Sequence, residues 1–334
     1  MLSRDEPHRF SRRKFLKLGS TAAIVAVVAG VGGYLAYQSA QPTQTKIPIA
    51  PQTTAPKAIT TATPTVTQGR TWRVPEDYSS IDPAKAVASA GDTVQVGPGI
   101  YPGFITIDKP LTVKGSGAGV TTIDGLVRIH THGARLTGFT LKGGGEKNYH
   151  AGVIISVDHL GGNEVSGNTI EGTGNGVHLH TGDNTVSNNI IKTAGAGVAN
   201  HAEIGVATHG GVNNKIVGNT IEAGDVGVII NVGDNNEVRG NTIRLCGVGI
   251  FIKTVENTIR TVENTIFENN LLDNKIQAQD DGTNNLWYKD GKGNYWSNWT
   301  IPDEDKDGRV DVPYAIPGTA KSVDKYPLAS PYQS

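Results

Sequence analysis

A four-residue marker recurs along the middle of this chain: Gly167-Asn168-Thr169-Ile170, Asn188-Asn189-Ile190-Ile191, Gly218-Asn219-Thr220-Ile221, Gly240-Asn241-Thr242-Ile243 and Glu263-Asn264-Thr265-Ile266. Its asparagines lie 21, 30, 22 and 23 residues apart, a period of about 22 with one insertion near residues 197–205. A second marker keeps step, nine positions after the start of the first: Gly176-Val177, Gly197-Val198, Gly227-Val228 and Gly249-Ile250. Between markers the pattern alternates with period two, as in Val228-Ile229-Ile230-Asn231-Val232, which is the period of a strand. A strand of four or five residues cannot bury its own apolar face, whereas stacking each coil on the last does so, at about 4.8 Å per coil. The repeat therefore predicts an all-β right-handed parallel β-helix, with roughly nine coils over residues 70–278. One asparagine per coil, Asn168, Asn189, Asn219, Asn241 and Asn264, is expected to stack as a structural ladder bonded to backbone at a sharp bend.

A solenoid exposes unpaired strand edges at its ends. Ser80 to Ala90 reads as a short amphipathic helix ended by Gly91, placed to plug the first end, with the first coil starting at Gly91. From about Gln279 the chain is expected to cap the last coil, with Trp287, Tyr295, Trp296 and Trp299 covering the open end; each buried aromatic hides roughly 150–250 Å².

Residues 1–40 read as an address. Ser11-Arg12-Arg13-Lys14-Phe15-Leu16-Lys17 is a full twin-arginine motif, and Leu18 to Ala36 follows as a weakly apolar stretch. Gln38-Ser39-Ala40 matches the small-x-small cleavage pattern poorly, which leaves retention of residues 18–37 as a membrane anchor open, and no lipid-bearing cysteine follows. The expectation is export through the twin-arginine translocase to the periplasm, cell surface or exterior. Residues 41–69 are rich in Thr, Pro, Ala and Gln and read as an extended stalk. Removing residues 1–40, with six Lys/Arg and two Asp/Glu, takes the net charge from −1 to −5, a poor balance for binding nucleic acid. The single cysteine, Cys246, excludes an internal disulfide framework.

Gly91 to Tyr101, with the coil pattern, resembles the start of many carbohydrate-binding and sugar-hydrolase β-helices, pectin esterases included. The tail narrows this. Gly293-Asn294-Tyr295-Trp296-Ser297-Asn298-Trp299, Asp303 to Pro313 and Asp324-Lys325-Tyr326-Pro327-Leu328 are similar to the C-terminal signature of NosD-type proteins. That resemblance spans about residues 70–334 and implies a periplasmic accessory role in maturing a copper site, although relatives share the tail in other settings.

Three constellations bear on chemistry. Val157-Asp158-His159 resembles a pectate lyase motif, but the surrounding aromatic and the lyase arginine motif are missing, so it reads as a turn. Asp280-Asp281 before Gly282 also reads as a solvated turn, where a glycoside hydrolase would need paired carboxylates across a substrate. No catalytic set emerges. Asp303, Asp305, Asp307, Gly308 and Asp311 form D-x-D-x-D-G-x-x-D, a spacing suited to calcium, although Tyr314 stands where an EF-hand closes with Glu.

Alternation also fixes which residues face outward. Counted from the glycine marker, Ile154, His178, Ile229 and Phe251 occupy one outward column. Ser156, His180, His201, Asn231 and Lys253 occupy the next, with His209 replacing His201 if Gly205 is the true marker. This stripe suits a polysaccharide laid across the coils; the alternatives are a transition-metal site or a plain solenoid surface. A lyase or hydrolase remains the enzyme alternative. Changing Arg12 and Arg13 together to Lys is expected to hold the protein in the cytoplasm, as read by cell fractionation; continued export of the double variant would overturn the twin-arginine assignment.

Overall fold

The computed structural model describes residues 69–143, 151–156, 161–201, 211–254 and 261–333. The chain divides into two units, Met1–Thr65 and Val66–Ser334. The first, with the export motif and most of the Thr/Pro-rich segment, lies outside the described residues, as do Asp158, His159 and His209. Among the described residues no helix is long and apolar enough to cross a membrane.

The second unit is a right-handed parallel β-helix built on three long sheets. The first sheet has nine strands, from Thr71–Val74 to Thr265–Phe267. The second has nine, from Gly99–Pro102 to Tyr295–Trp296, and the third eight, from Ile105–Ile107 to Ile276–Asp280. One coil runs Glu164–Ser166, Thr169–Thr173, Asn175–Leu179, and each strand pairs in parallel with its equivalent one coil on. Inward positions stack as fully buried aliphatic rows, such as Val165, Val186, Ile216, Val238 and Ile266 in the first sheet. The solenoid begins one strand earlier than Gly91: Thr71–Val74 already pairs with Thr93–Val96, and Val74 is fully buried.

The two sequence markers interlock. The isoleucine of the first marker reaches across the core to the glycine of the second. A Cβ on Gly227 would overlap a methyl of Ile243 and the carbonyl of Gly249, and Gly176 and Gly197 meet Ile191 and Ile221 in the same way. The residue before the marker asparagine turns the corner with positive φ, as at Gly167, Asn188, Gly218 and Gly240, which explains Gly or Asn there.

There are two asparagine ladders. One runs Asn168, Asn189, Asn219, Asn241, Asn269, Asn294. The other runs Asn163, Asn184, Asn214, Asn236, Asn264, Asn285, at the start of each first-sheet strand. Asn264, assigned by its Asn-Thr-Ile motif to the first of these, thus belongs to the second, and Asn269 takes its place. The two ladder positions are five residues apart in the first five of these coils and nine in the last, so a motif match at Asn264 landed on the wrong one. The first rungs, Asn163 and Asn168, accept from Ala134 and Phe139 N–H. In both ladders each Oδ1 beyond the first rung accepts the backbone N–H of the preceding coil's asparagine. It usually accepts that residue's side-chain amide as well, at 2.9–3.2 Å. The rung-to-rung bonds all run toward the C-terminus, while a second amide proton commonly ties back to a carbonyl of an earlier coil, so each ladder needs a terminal acceptor, and each finds a buried carboxylate. Asn285 donates to Asp280, and Asn294 donates to Asp324 through its N–H at 2.7 Å.

Those carboxylates organise the cap. Asp280 and Asp324 are both fully buried. Asp280 also accepts from Trp287 Nε1, Ser322 Oγ and the N–H of Gly282. The solvated turn expected at Asp280 is therefore replaced by a buried anchor, because the ladder and an indole converge on it. Asp324 also accepts from Trp296 Nε1 and Tyr326 N–H, while burial pushes its carboxyl up to about 6. Trp287 and Trp296 are fully buried and Trp299 partly so, and Tyr314 stacks on Trp296 at 4.0 Å between ring centroids.

At the other end the helix, α1, spans Ile81–Val87 and stops short of Ala90 because Ala88 turns extended. Lys109 Nζ donates to the carbonyls of Lys85, Ala86 and Ala88, and Asp92 accepts from Ser89 N–H, Trp72 Nε1 and Arg70 N–H. Those bonds hold the Asp92 carboxyl below its ordinary value, the Ser89 N–H contributing most. Ile81, Ala84 and Ala88 bury against the first coil.

The expected outcome of Asn219→Ala is a loss of about 2–4 kcal/mol of unfolding free energy, since the amides of Asn189 and the Val186 carbonyl lose buried partners. Chemical denaturation measures it; a change under about 0.5 kcal/mol, the level of an exposed substitution, would contradict the ladder's role.

Candidate functional site

The three outer faces differ in how their side chains are matched. On the second face one outward column reads Asp124, Lys142, Glu171, Lys192, Glu222, Arg244, strictly alternating in sign from coil to coil. Lys142–Glu171 and Arg244–Glu222 are ion pairs at 3.2 Å. The first face carries Arg135–Glu164 at 2.8 Å, and Glu237 held by Arg239 and Lys289. The hydrogen bonds and charges of Arg239 and Lys289 outweigh burial, the largest single influence on Glu237, and leave its carboxyl below the ordinary value. These two faces neutralise themselves.

The third face does not follow that pattern. Its first outward column is Thr106, Arg128, Ile154, His178, Ala199, Ile229, Phe251, Gln279. The second begins with Asp108 and His130, continues through Ser156 and His180, and its register carries on through His201, Asn231 and Lys253 to Asp281. Backbone bonds from His130 to Ile107, Ser156 to Ile129 and His180 to Ile155 carry the ladder through this column. Pairing of His201 with Asn231 places His201 at the fourth position of its coil.

Of the predicted site residues, Ile154, His178, His180, Ile229, Asn231, Phe251 and Lys253 lie on this sheet's outward columns, His201 pairs in their register and His209 lies outside the described residues; one of them needs correction. Ile154, expected to extend an exposed apolar stripe, is 2% exposed, buried with Leu126 and Ala151 in a small cluster outside the core. Ile229 and Phe251 are half-exposed neighbours in register, and Lys253 is exposed. The His178 and His180 rings meet edge to face, 5.9 Å between centroids. Asn231 Oδ1 is buried and accepts no hydrogen bond from the protein. Sequence reasoning missed Arg128 and His130, because no glycine marker precedes their coil; the pairing of Val127–Ile129 with Ala151–Ile155 would have revealed them. Arg128 lies over the exposed ring of Phe104, 5.0 Å from its centroid.

The acidic loop is separate. Asp303, Asp305 and Asp307 each bring a carboxylate oxygen within 4.8 Å of the others, and form the one group of three candidate metal ligands among the described residues. Asp303 accepts from the N–H groups of Asp307 and Gly308, while Asp311 accepts from Glu304 N–H at 2.7 Å and closes the loop outside that group. The donors are hard oxygens, which fit calcium and do not fit copper.

The stacked sheets and the capped ends define a parallel β-helix protein. Residues 89–300, more than half the chain, match the family described as periplasmic copper-binding protein (NosD), and the chain belongs to that family. Among curated proteins none matches the sequence significantly. Solved structures similar to it include the A-module of the Azotobacter vinelandii mannuronan C-5 epimerase AlgE6, at 17% identity over 72% of this chain and 82% of that one, TM-score 0.41. An alginate lyase from Paenibacillus sp. str. FPU-7 has 15% identity over 65% of this chain and 95% of its own, TM-score 0.42. Pectate lyase Pel9A has 14% identity over 73% and 71%, TM-score 0.41. Two of the tail segments pack together: Gly293, Asn294 and Trp296 on one side and Asp324 and Tyr326 on the other make a single hydrogen-bonded cluster, with no room for a Cβ on Gly293.

Proposed function

We propose that this NosD-family chain is an exported cell-envelope module that binds a polysaccharide along its third face. The observation that carries this is the composition of the stripe itself. Phe251 and Ile229 offer apolar surface for sugar rings, and His178, His180, Asn231 and Lys253 stand beside them at the coil spacing of about 4.8 Å. The orphan oxygen of Asn231 accepts a hydroxyl donor in this reading. Enzyme chemistry has less support: the carboxylates of these two columns, Asp108 and Asp281, stand at opposite ends of an eight-stranded sheet and cannot flank one glycosidic bond. The copper reading rests on the family description; among the described residues the face supplies His130, His178 and His180, and the His178 and His180 rings meet edge to face at 5.9 Å between centroids.

A paired titration of wild type and a His180→Ala, His201→Ala, His209→Ala variant against copper and a polysaccharide panel separates the two. Polysaccharide binding by wild type, with copper binding weak and unchanged in the variant, is the expected result; tight copper binding lost in the variant would replace the proposal. In the same reading the acidic loop binds calcium and stiffens the C-terminal cap. A chelator should lower the melting temperature of wild type and leave Asp303→Ala, Asp305→Ala unaffected, calcium at 100 times its Kd contributing about 2.7 kcal/mol. Equal melting of wild type with and without calcium would remove the ion from the account.

A further inference from the structure

The alternating column of the second face has a defined length. It runs through six rows, negative at Asp124 and positive at Arg244, and its neighbours in register beyond each end, Pro102 and Leu272, carry no charge. Alternation by itself serves a single chain, because each inner residue then has an opposite charge above and below. An even number of alternating rows has a further property: read backwards, the column is its own complement. The other outward column of the same strands holds Thr122, Thr140, Thr169, Thr220 and Thr242, with Ile190, 46% exposed, in the fourth row. Short β-branched side chains in register make that part of the face flat.

We infer that the second face is a two-fold interface between two copies of this chain, with the solenoids antiparallel. The axis runs parallel to the strands and passes between the rows of Glu171 and Lys192, so each column faces its own copy in reverse order. Asp124 then opposes Arg244 of the partner subunit, Lys142 opposes Glu222 of the partner subunit, and Glu171 opposes Lys192 of the partner subunit. The uncharged ends, Pro102 and Leu272, also oppose each other. Both copies have the same pitch of about 4.8 Å, so a match in one row carries through all of them. A slip of one coil would set Lys142 against Arg244 and Glu171 against Glu222, like charges in every row, and this fixes the register. The in-chain pairs Lys142–Glu171 and Arg244–Glu222 leave each of their four side chains 36% or more exposed, so a second copy reaches them without breaking those pairs. Ile190 lies next to the axis and places the most apolar point of the strip at its centre. The strip is about 24 Å from first row to last and one strand of three to five residues wide, which is the small end of specific interfaces, so the dimer is reversible.

Sedimentation of the full chain from about 1 to about 500 µM measures the association. A monomer–dimer equilibrium is expected at about 0.1 M salt, with Kd rising about tenfold or more at about 1 M, where the screening length falls from about 10 to about 3 Å. Two charge swaps, both without change in net charge, separate pairing across the axis from pairing within the chain. Glu171→Lys, Lys192→Glu puts a like charge beside Lys142 but leaves every row opposite in sign to the row it faces, and should keep the dimer. Lys142→Glu, Glu171→Lys keeps its in-chain pair but sets like charges across the axis in four of the six rows, and should be monomeric. Thermal melting checks that each swap is folded. A wild type that stays monomeric throughout would overturn the interface. So would a dimer that persists undiminished in Lys142→Glu, Glu171→Lys, which would place the contact elsewhere, or one lost equally in both swaps, which would tie it to the in-chain order of charges.

Discussion

Everything in this solenoid hangs on a directional hydrogen-bond chain that has a beginning and an end. A stacked asparagine accepts on one side and donates on the other, so two ladders of them run the length of the later coils with every rung-to-rung bond aimed at the C-terminus. A row of buried donors cannot simply stop, because each unsatisfied amide costs about 1–3 kcal/mol. The chain resolves this with two buried carboxylates, Asp280 and Asp324, each of which also holds an indole N–H of the cap. The acceptor at the end of the ladder and the hydrophobic lid over the last coil are thus one structure, and the family's tail signature is its sequence trace.

The ladders also free the outer faces. Corner geometry and core are fixed by Asn, Gly and Ile, so loops of different length can leave a coil without disturbing the next; the asparagine spacing varies from 21 to 30 residues while strand register is kept. Outward positions then answer to other demands. Two faces use theirs for cross-coil ion pairs of the kind that contribute little individually in water and mainly keep parallel edges soluble. Between Asp108 and Asp281 the third face places no carboxylate in its two outward columns and sets aromatic, aliphatic, imidazole and cationic groups in register. Difference between faces, and not any single residue, is what marks the candidate site.

The period, the strand character, the period-two alternation and the aromatic tail were all readable from the chain, because a solenoid repeats its local rules in every coil and the repeats average out ambiguity. His178, His180, Ile229, Phe251 and Lys253 were placed on one face by counting from a glycine. Counting failed where the local rule was ambiguous or absent. Asn264 carried the right tripeptide in the wrong ladder; the coil of Arg128 lacked a marker; and the insertion after Gly197 left His201 and His209 as equals until strand pairing placed His201 beside Asn231.

Sequence alone determined the architecture, since burying period-two strands this short requires stacking, and stacking requires a repeat. Tertiary structure decided which side chains outside the repeat are buried. Ile154 reads as exposed by alternation yet is covered by Leu126 and Ala151, and Asp280 reads as a solvated turn yet sits sealed under Trp287 and the tail. Alternation says which way a side chain points, but burial depends on what another part of the chain lays over it. That depends on contacts across tens of residues, which no local pattern encodes.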